Sequence, residues 1–161
     1  MMSNSVDGGF GLNSLVEDIH LSRVKEKVCR LLYSSNSFRV DDSQRLLRIR
    51  QLDGELEDWR LSIPVDFRPK LAVSSGSTLF LPTMNTLQRR CCIKLQLEYH
   101  YLIMAIHTAV RRCGSAYAEG VSIPDDLHSV FHSSLDLALE GSRSTLLLLK
   151  NPVVLEQEAF W

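Results

Sequence analysis

Residues 85 to 114, NTLQRRCCIKLQLEYHYLIMAIHTAVRRCG, form the longest uninterrupted helical pattern in the chain. From Tyr99 to Val110 it is apolar on most sides, and a helix of that kind must be enclosed by other elements. Gly114 is a natural C-terminal stop, with Arg111 and Arg112 placed against the negative end of the helix dipole. The rest of the chain therefore has to supply amphipathic helices that surround this one. A length of 161 residues is about one domain, large enough to build a core without disulfides or metals.

The flanking segments have the required periodicity. Ser14 stands three before Glu17 as in a capping box, and Leu21, Val24, Val28 and Leu31 follow at helical spacing, predicting a first helix from about Asn13 to Tyr33. The SSNS after it reads as a turn, because Ser and Asn satisfy their own backbone locally. Asp41 and Gln44 can form a second capping box. Ile49, Leu52, Leu56 and Trp59 then repeat on one face, and Arg48, Arg50, Asp53, Glu55, Glu57, Asp58 and Arg60 make up a charged, solvated face. Pro64 and Pro69 end this helix. Residues 64–83 read as a connecting loop and 1–11 as a flexible N-terminal segment. Ser122, Pro124 and Asp125 open a last long helix that halts at Asn151-Pro152. Its expected buried face is Leu135, Leu139, Leu146 and Leu149, with Gly141 a weak point costing about 1 kcal/mol relative to Ala. The expected fold is all-α, an irregular bundle of about four to five helices around one central apolar helix, in a single domain. The abrupt end at Phe160-Trp161 predicts a chain cut from something longer.

The chemistry-bearing residues are sparse. A formal net charge of -1 gives no broad pull toward phosphate backbones or anionic lipid. No apolar run reaches the length of a membrane span, and the N-terminus lacks the pattern of a signal peptide, so the chain reads as intracellular. Cys29, Cys91, Cys92 and Cys113 show no metal-ligand spacing and read as small apolar residues. His128 and His132 would share a helix face, but they lack the glutamate of HExxH and a third ligand. His100 and His107, within the apolar helix, read as hydrogen-bonded core or pocket residues. No nucleophile elbow, P-loop or dinucleotide fingerprint occurs. The acids between 53 and 58 alternate with arginines on a solvated face, where their pKa values are not usefully shifted. The basic clusters Arg45, Arg48 and Arg50, then Arg89-Arg90 and Arg111-Arg112, do not form one acid-free face, so direct nucleic-acid contact is not expected. No catalytic residue and no metal site are assigned.

Five blocks in series resemble the C-terminal half of the fungal-specific transcription factor domain, the middle homology region of fungal zinc binuclear cluster regulators. They are HLSRVKEKVCRLLYSS, RIRQLDGELEDWRLSIPVDFRP, LQLEYHYLIMAIHTAVRRC, LEGSRSTLLLLK and PVVLEQEAFW. The most specific residues are Leu52, Leu56, Trp59, Pro64 and Arg68-Pro69, followed by Tyr99-His100-Tyr101. The resemblance implies a non-enzymatic, all-helical regulatory segment of a nuclear protein, controlling transcription through protein contacts or an effector. Zinc is expected only in a DNA-binding module absent from this chain, and no cofactor in the chain itself. The expected partners are other proteins or the remaining half of the regulatory domain, a small-molecule effector, and a second copy as a homodimer; membrane and direct nucleic-acid contact are not expected. Because helix bundles place ligand sites between facing helices, an effector pocket is expected beside the central helix near Tyr99, Tyr101, Met104 and His107. The alternative is a free-standing small helical protein of a fungal pathway, acting as an interaction partner or an enzyme. An isolated half-domain is expected to expose an apolar face and to self-associate or need a partner.

Overall fold

The computed structural model describes residues 18–74, 80–113 and 125–155, with the backbone alone at 125–128, 153 and 155. Among the described residues all regular structure is helical. Helix α1 (Ile19–Val28) runs into a π-turn at Cys29–Tyr33, and a 3-10 turn at Ser35–Arg39 leads to α2 (Asp42–Ser62). After a short 3-10 turn at Val65–Phe67 come α3 (Thr86–Thr108), which tightens into a 3-10 turn at Ala109–Arg112, α4 (Asp125–Leu149) and the single turn α5 (Pro152–Leu155). The all-α expectation and the central position of the apolar helix both hold: α3 buries residues from Cys91 to His107 and packs most extensively on α4 and then on α2.

Helix starts follow local chemistry. The Asp41 carboxylate accepts the Gln44 amide at 2.7 Å. Asn85 and Gln88 form a reciprocal capping box, each side chain accepting the other's backbone amide at 2.9 Å. Helix α1 is capped by Asp18, whose Oδ1 accepts from the His20 amide at 2.7 Å; the anticipated box of Ser14 and Glu17 lies outside the described residues. The other oxygen of Asp18 accepts the Trp59 indole N–H at 2.8 Å. One carboxylate thus starts α1 and satisfies the polar end of a fully buried tryptophan on α2.

Three expectations about faces are corrected. First, the α1 stripe ends on Leu32, not Leu31. The π-turn adds a residue to the last turn, so the inward direction passes to Leu32 while Leu31 is only partly buried. Second, the charged face of α2 is not simply solvated. Lys27 of α1 donates to both oxygens of Glu55 at 2.9 and 2.8 Å, and the Arg48 guanidinium reaches the Leu31 carbonyl at 3.0 Å. Arg45 is buried, donating to Asp42 at 2.8 Å and to the carbonyls of Ser37, Val40 and Arg112. Third, of the leucines predicted to be buried on α4 only Leu135 packs against the core. Leu139 and Leu146 are each 61% exposed and Leu149 43%, while Leu135 is half-buried. The residues it turns inward are Ser134, Gly141, Ser144 and Leu148.

The reason for that rotation is close approach and polar matching. A Cβ at Gly141 would meet the Ile103 Cγ2 and Met104 Cγ atoms of α3 at 3.3 Å, so the helices touch where a side chain is missing. The α3 histidines also need partners once buried, and the hydroxyls of α4 supply them. A leucine face turned inward would have left those rings unsatisfied. The four cysteines divide as well: Cys91, Cys92 and Cys113 are buried as expected of small apolar residues, but Cys29 is exposed.

Candidate functional site

Two histidines one heptad apart on α3 organise the interior polar chemistry. His107 is almost fully buried and sits between α2 and α4. Its Nε2 lies 3.0 Å from Asp53 Oδ1 and its Nδ1 lies 3.2 Å from Ser134 Oγ. With the proton on Nε2, the ring donates to the carboxylate and accepts the Ser134 hydroxyl. Asp, His and Ser in series have the composition of a nucleophilic triad, but the surroundings do not make one. Ser134 is 2% exposed and lies within α4, where the backbone amides are committed to the helix and cannot form an oxyanion hole. The chain of contacts ties three helices together through one ring.

His100 repeats the arrangement one heptad earlier. Thr145 gives its hydroxyl proton to the Gly141 carbonyl at 2.8 Å, so its oxygen accepts from His100 Nδ1 at 3.2 Å. Gln96 accepts the Lys70 amide at 3.0 Å and returns a hydrogen bond to the Lys70 carbonyl. Its remaining amide proton points to His100 Nε2, 2.7 Å away. That network is complete with a neutral ring. Nε2 also lies 3.0 Å from the Lys70 carbonyl, which would accept a second ring proton, yet burial outweighs this and lowers the His100 pKa below the ordinary histidine value. The same seam holds the connecting segment, because the Val73 amide donates to Ser144 Oγ at 3.0 Å.

The four pocket residues anticipated from sequence are dispersed around α3. Tyr99 is buried toward α2, and burial raises its phenol to about 12. Tyr101 is 57% exposed. Met104 lies in the α3–α4 contact, its sulfur 3.0 Å from Ser142 Oγ, and His107 belongs to the polar seam just described. Met104 and His107 thus share the α4-facing side, whereas the two tyrosines do not meet there. Sequence reasoning missed Asp53, Gln96, Ser134 and Thr145 as partners of the histidines, since nothing in their own segments signals which helix they will meet. Among the described residues no group of three or more metal-ligating side chains occurs, and no helix is long and apolar enough to cross a membrane.

The arginines of the sequence clusters are engaged internally. Arg112 donates to the Leu32 carbonyl at 2.7 Å and stacks over Tyr33 and Phe38, while Arg89 donates to the Met84 carbonyl at 3.1 Å. With Arg45 and Arg48, four guanidiniums close backbone carbonyls at helix ends and turns.

No protein-family model matches the chain, and no solved structure matches it. It is similar in part to two fungal proteins. Over 72 residues it is 36% identical to an ABC-transporter-regulating transcription factor of Aspergillus fumigatus, covering 45% of this chain and 8% of that protein. Over 84 residues it is 40% identical to an ABC-transporter-regulating transcription factor of Aspergillus oryzae, covering 52% of this chain and again 8% of the relative. The matched region is thus a small part of each curated relative.

Proposed function

We propose that the chain is a regulatory segment of a fungal transcription regulator, corresponding to the C-terminal half of the middle homology region. The observation that carries this reading is the 36–40% identity to two transcription factors that regulate ABC transporters. In this reading the segment acts in the nucleus through protein contacts or through response to an effector, and catalyses nothing. The all-helical packing supports it, as does the polar seam, whose rings and hydroxyls are engaged in holding helices together. DNA contact and zinc belong in this reading to a separate module, since four of the seven clustered arginines are bonded to backbone carbonyls.

The test is deletion of the encoding locus in the source fungus, followed by measurement of ABC-transporter transcripts after challenge with a toxic compound. Loss or derepression of those transcripts is the expected result. Transcript levels identical to the parent strain's, with and without the challenge, would overturn the proposal.

A further inference from the structure

The polar side chains buried between α3 and α4 spend part of their hydrogen bonding on main chain. Residues 69–74 lie against both helices without regular structure, and their burial alternates. Pro69 and Val73 are buried and Leu71 is half-buried against the core, while Lys70, Ala72 and Ser74 are exposed. This is the two-residue period of an extended chain. Its backbone is read by both helices. Gln96 of α3 accepts the Lys70 amide at 3.0 Å and donates to the Lys70 carbonyl, pairing with both backbone groups of one residue as a partner in an antiparallel ladder does. Ser144 of α4 accepts the Val73 amide at 3.0 Å and gives its own proton to Glu140 at 3.1 Å.

None of these bonds uses a side chain of the segment. A groove that reads amides and carbonyls and takes an apolar side chain at every second position specifies an alternation more than a sequence, as strand-addition sites for extended peptides do. Gln96 and Ser144 are buried, so a segment withdrawn from them must be replaced by water or by another main chain of the same alternation. The segment is rooted outside the groove. Arg68 donates to the Leu61 and Ile63 carbonyls at 3.0 and 3.2 Å, and Arg60 donates to the Pro69 carbonyl at 3.3 Å. We infer that the α3–α4 face is a peptide-recognition groove for an extended segment of a partner protein, apolar at three alternate positions, and that residues 69–73 fill it in cis as an autoinhibitory strap. The inference does not depend on the regulatory reading.

The probe is a fluorescent peptide of residues 66–74, DFRPKLAVS, titrated against the whole 161-residue chain and followed by anisotropy. In the wild type the tethered strap outcompetes it, because its effective concentration is about millimolar. Leu71→Asp with Val73→Asp charges two inward positions of the strap and releases it, so the peptide is expected to bind this variant about thirtyfold more tightly than the wild type. N-methylation of the peptide at the Lys70 or Val73 amide removes the hydrogen that Gln96 or Ser144 accepts, and each should weaken binding about tenfold. Lys70→Ala in the peptide changes an outward position and leaves binding unchanged. Lys70→Pro in the chain, which deletes only the clamped amide, is a second release variant, and circular dichroism of both should keep the wild-type helical signal. Three results overturn the inference: neither variant binds the peptide more tightly than the wild type, the N-methylated peptides bind as tightly as the parent, or both variants lose their helical signal, which would make the strap an indispensable part of the fold.

Discussion

Asp18 serves two helices with one carboxylate, capping α1 through the His20 amide and accepting the Trp59 indole. Asp18→Ala removes the cap and leaves a buried N–H without a partner, so it is expected to cost about 2–3 kcal/mol in denaturant unfolding. Asp18→Asn, which keeps an acceptor oxygen, recovers part of the loss. His100 carries the pH dependence that is specific to the interior. Its folded pKa lies below the ordinary value of 6.5 because burial disfavours the charged ring. As pH falls through 6.5 the unfolded chain takes up the proton first, and the folded state loses stability until its own pKa is reached; above 6.5 the contribution is complete. The fall in melting temperature between pH about 7.5 and about 5.5 is therefore expected to shrink in His100→Gln. An unchanged fall in that variant would mean that the titration lies elsewhere.

Within the helices, the two glycines in described segments have opposite reasons to exist. Gly54 is exposed on α2 and a Cβ there would meet nothing within 4 Å. Gly54→Ala is expected to stabilise the protein by about 0.5–1 kcal/mol through helix propensity alone. At Gly141 the same propensity gain is offset by the contacts with Ile103 and Met104 at 3.3 Å. Gly141→Ala should thus be neutral to destabilising, and Gly141→Leu should cost about 3 kcal/mol or more by forcing α3 and α4 apart. Thermal melts of the three variants check the contrast. Sequence periodicity located these helices well, and it identified the inner stripe of α2 because Ile49, Leu52, Leu56 and Trp59 are large and regularly spaced. It failed on α4 at Leu139, Leu146 and Leu149, because the positions turned against α3 include the small or polar Ser134, Gly141 and Ser144 beside Leu148. Nothing local shows that two buried histidines on another helix will require hydroxyls there.

For the whole molecule, solvent access sorts the cysteines. Cys29 is exposed, whereas Cys91, Cys92 and Cys113 are enclosed, and burial pushes the Cys92 thiol up to about 11 and the other two upward as well. A thiol reagent at mildly alkaline pH should modify one cysteine quickly and the remaining three only at the rate of opening of the core. Fast modification of all four would mean that α3 is not enclosed as described. The sequence by itself determined the helical class and the centrality of α3, because the apolar content and the 3.6-residue period leave one way of shielding so apolar a helix. It also determined the cap at Asp41, because a cap of this kind acts over three residues. Only the tertiary structure decided which way α4 is rotated, where the guanidiniums of Arg45, Arg48 and Arg112 end, and that Asp53 and Ser134 converge on His107. Those outcomes depend on contacts between segments as far as 80 residues apart, and no local pattern encodes which distant carbonyl, carboxylate or hydroxyl a buried polar side chain will find.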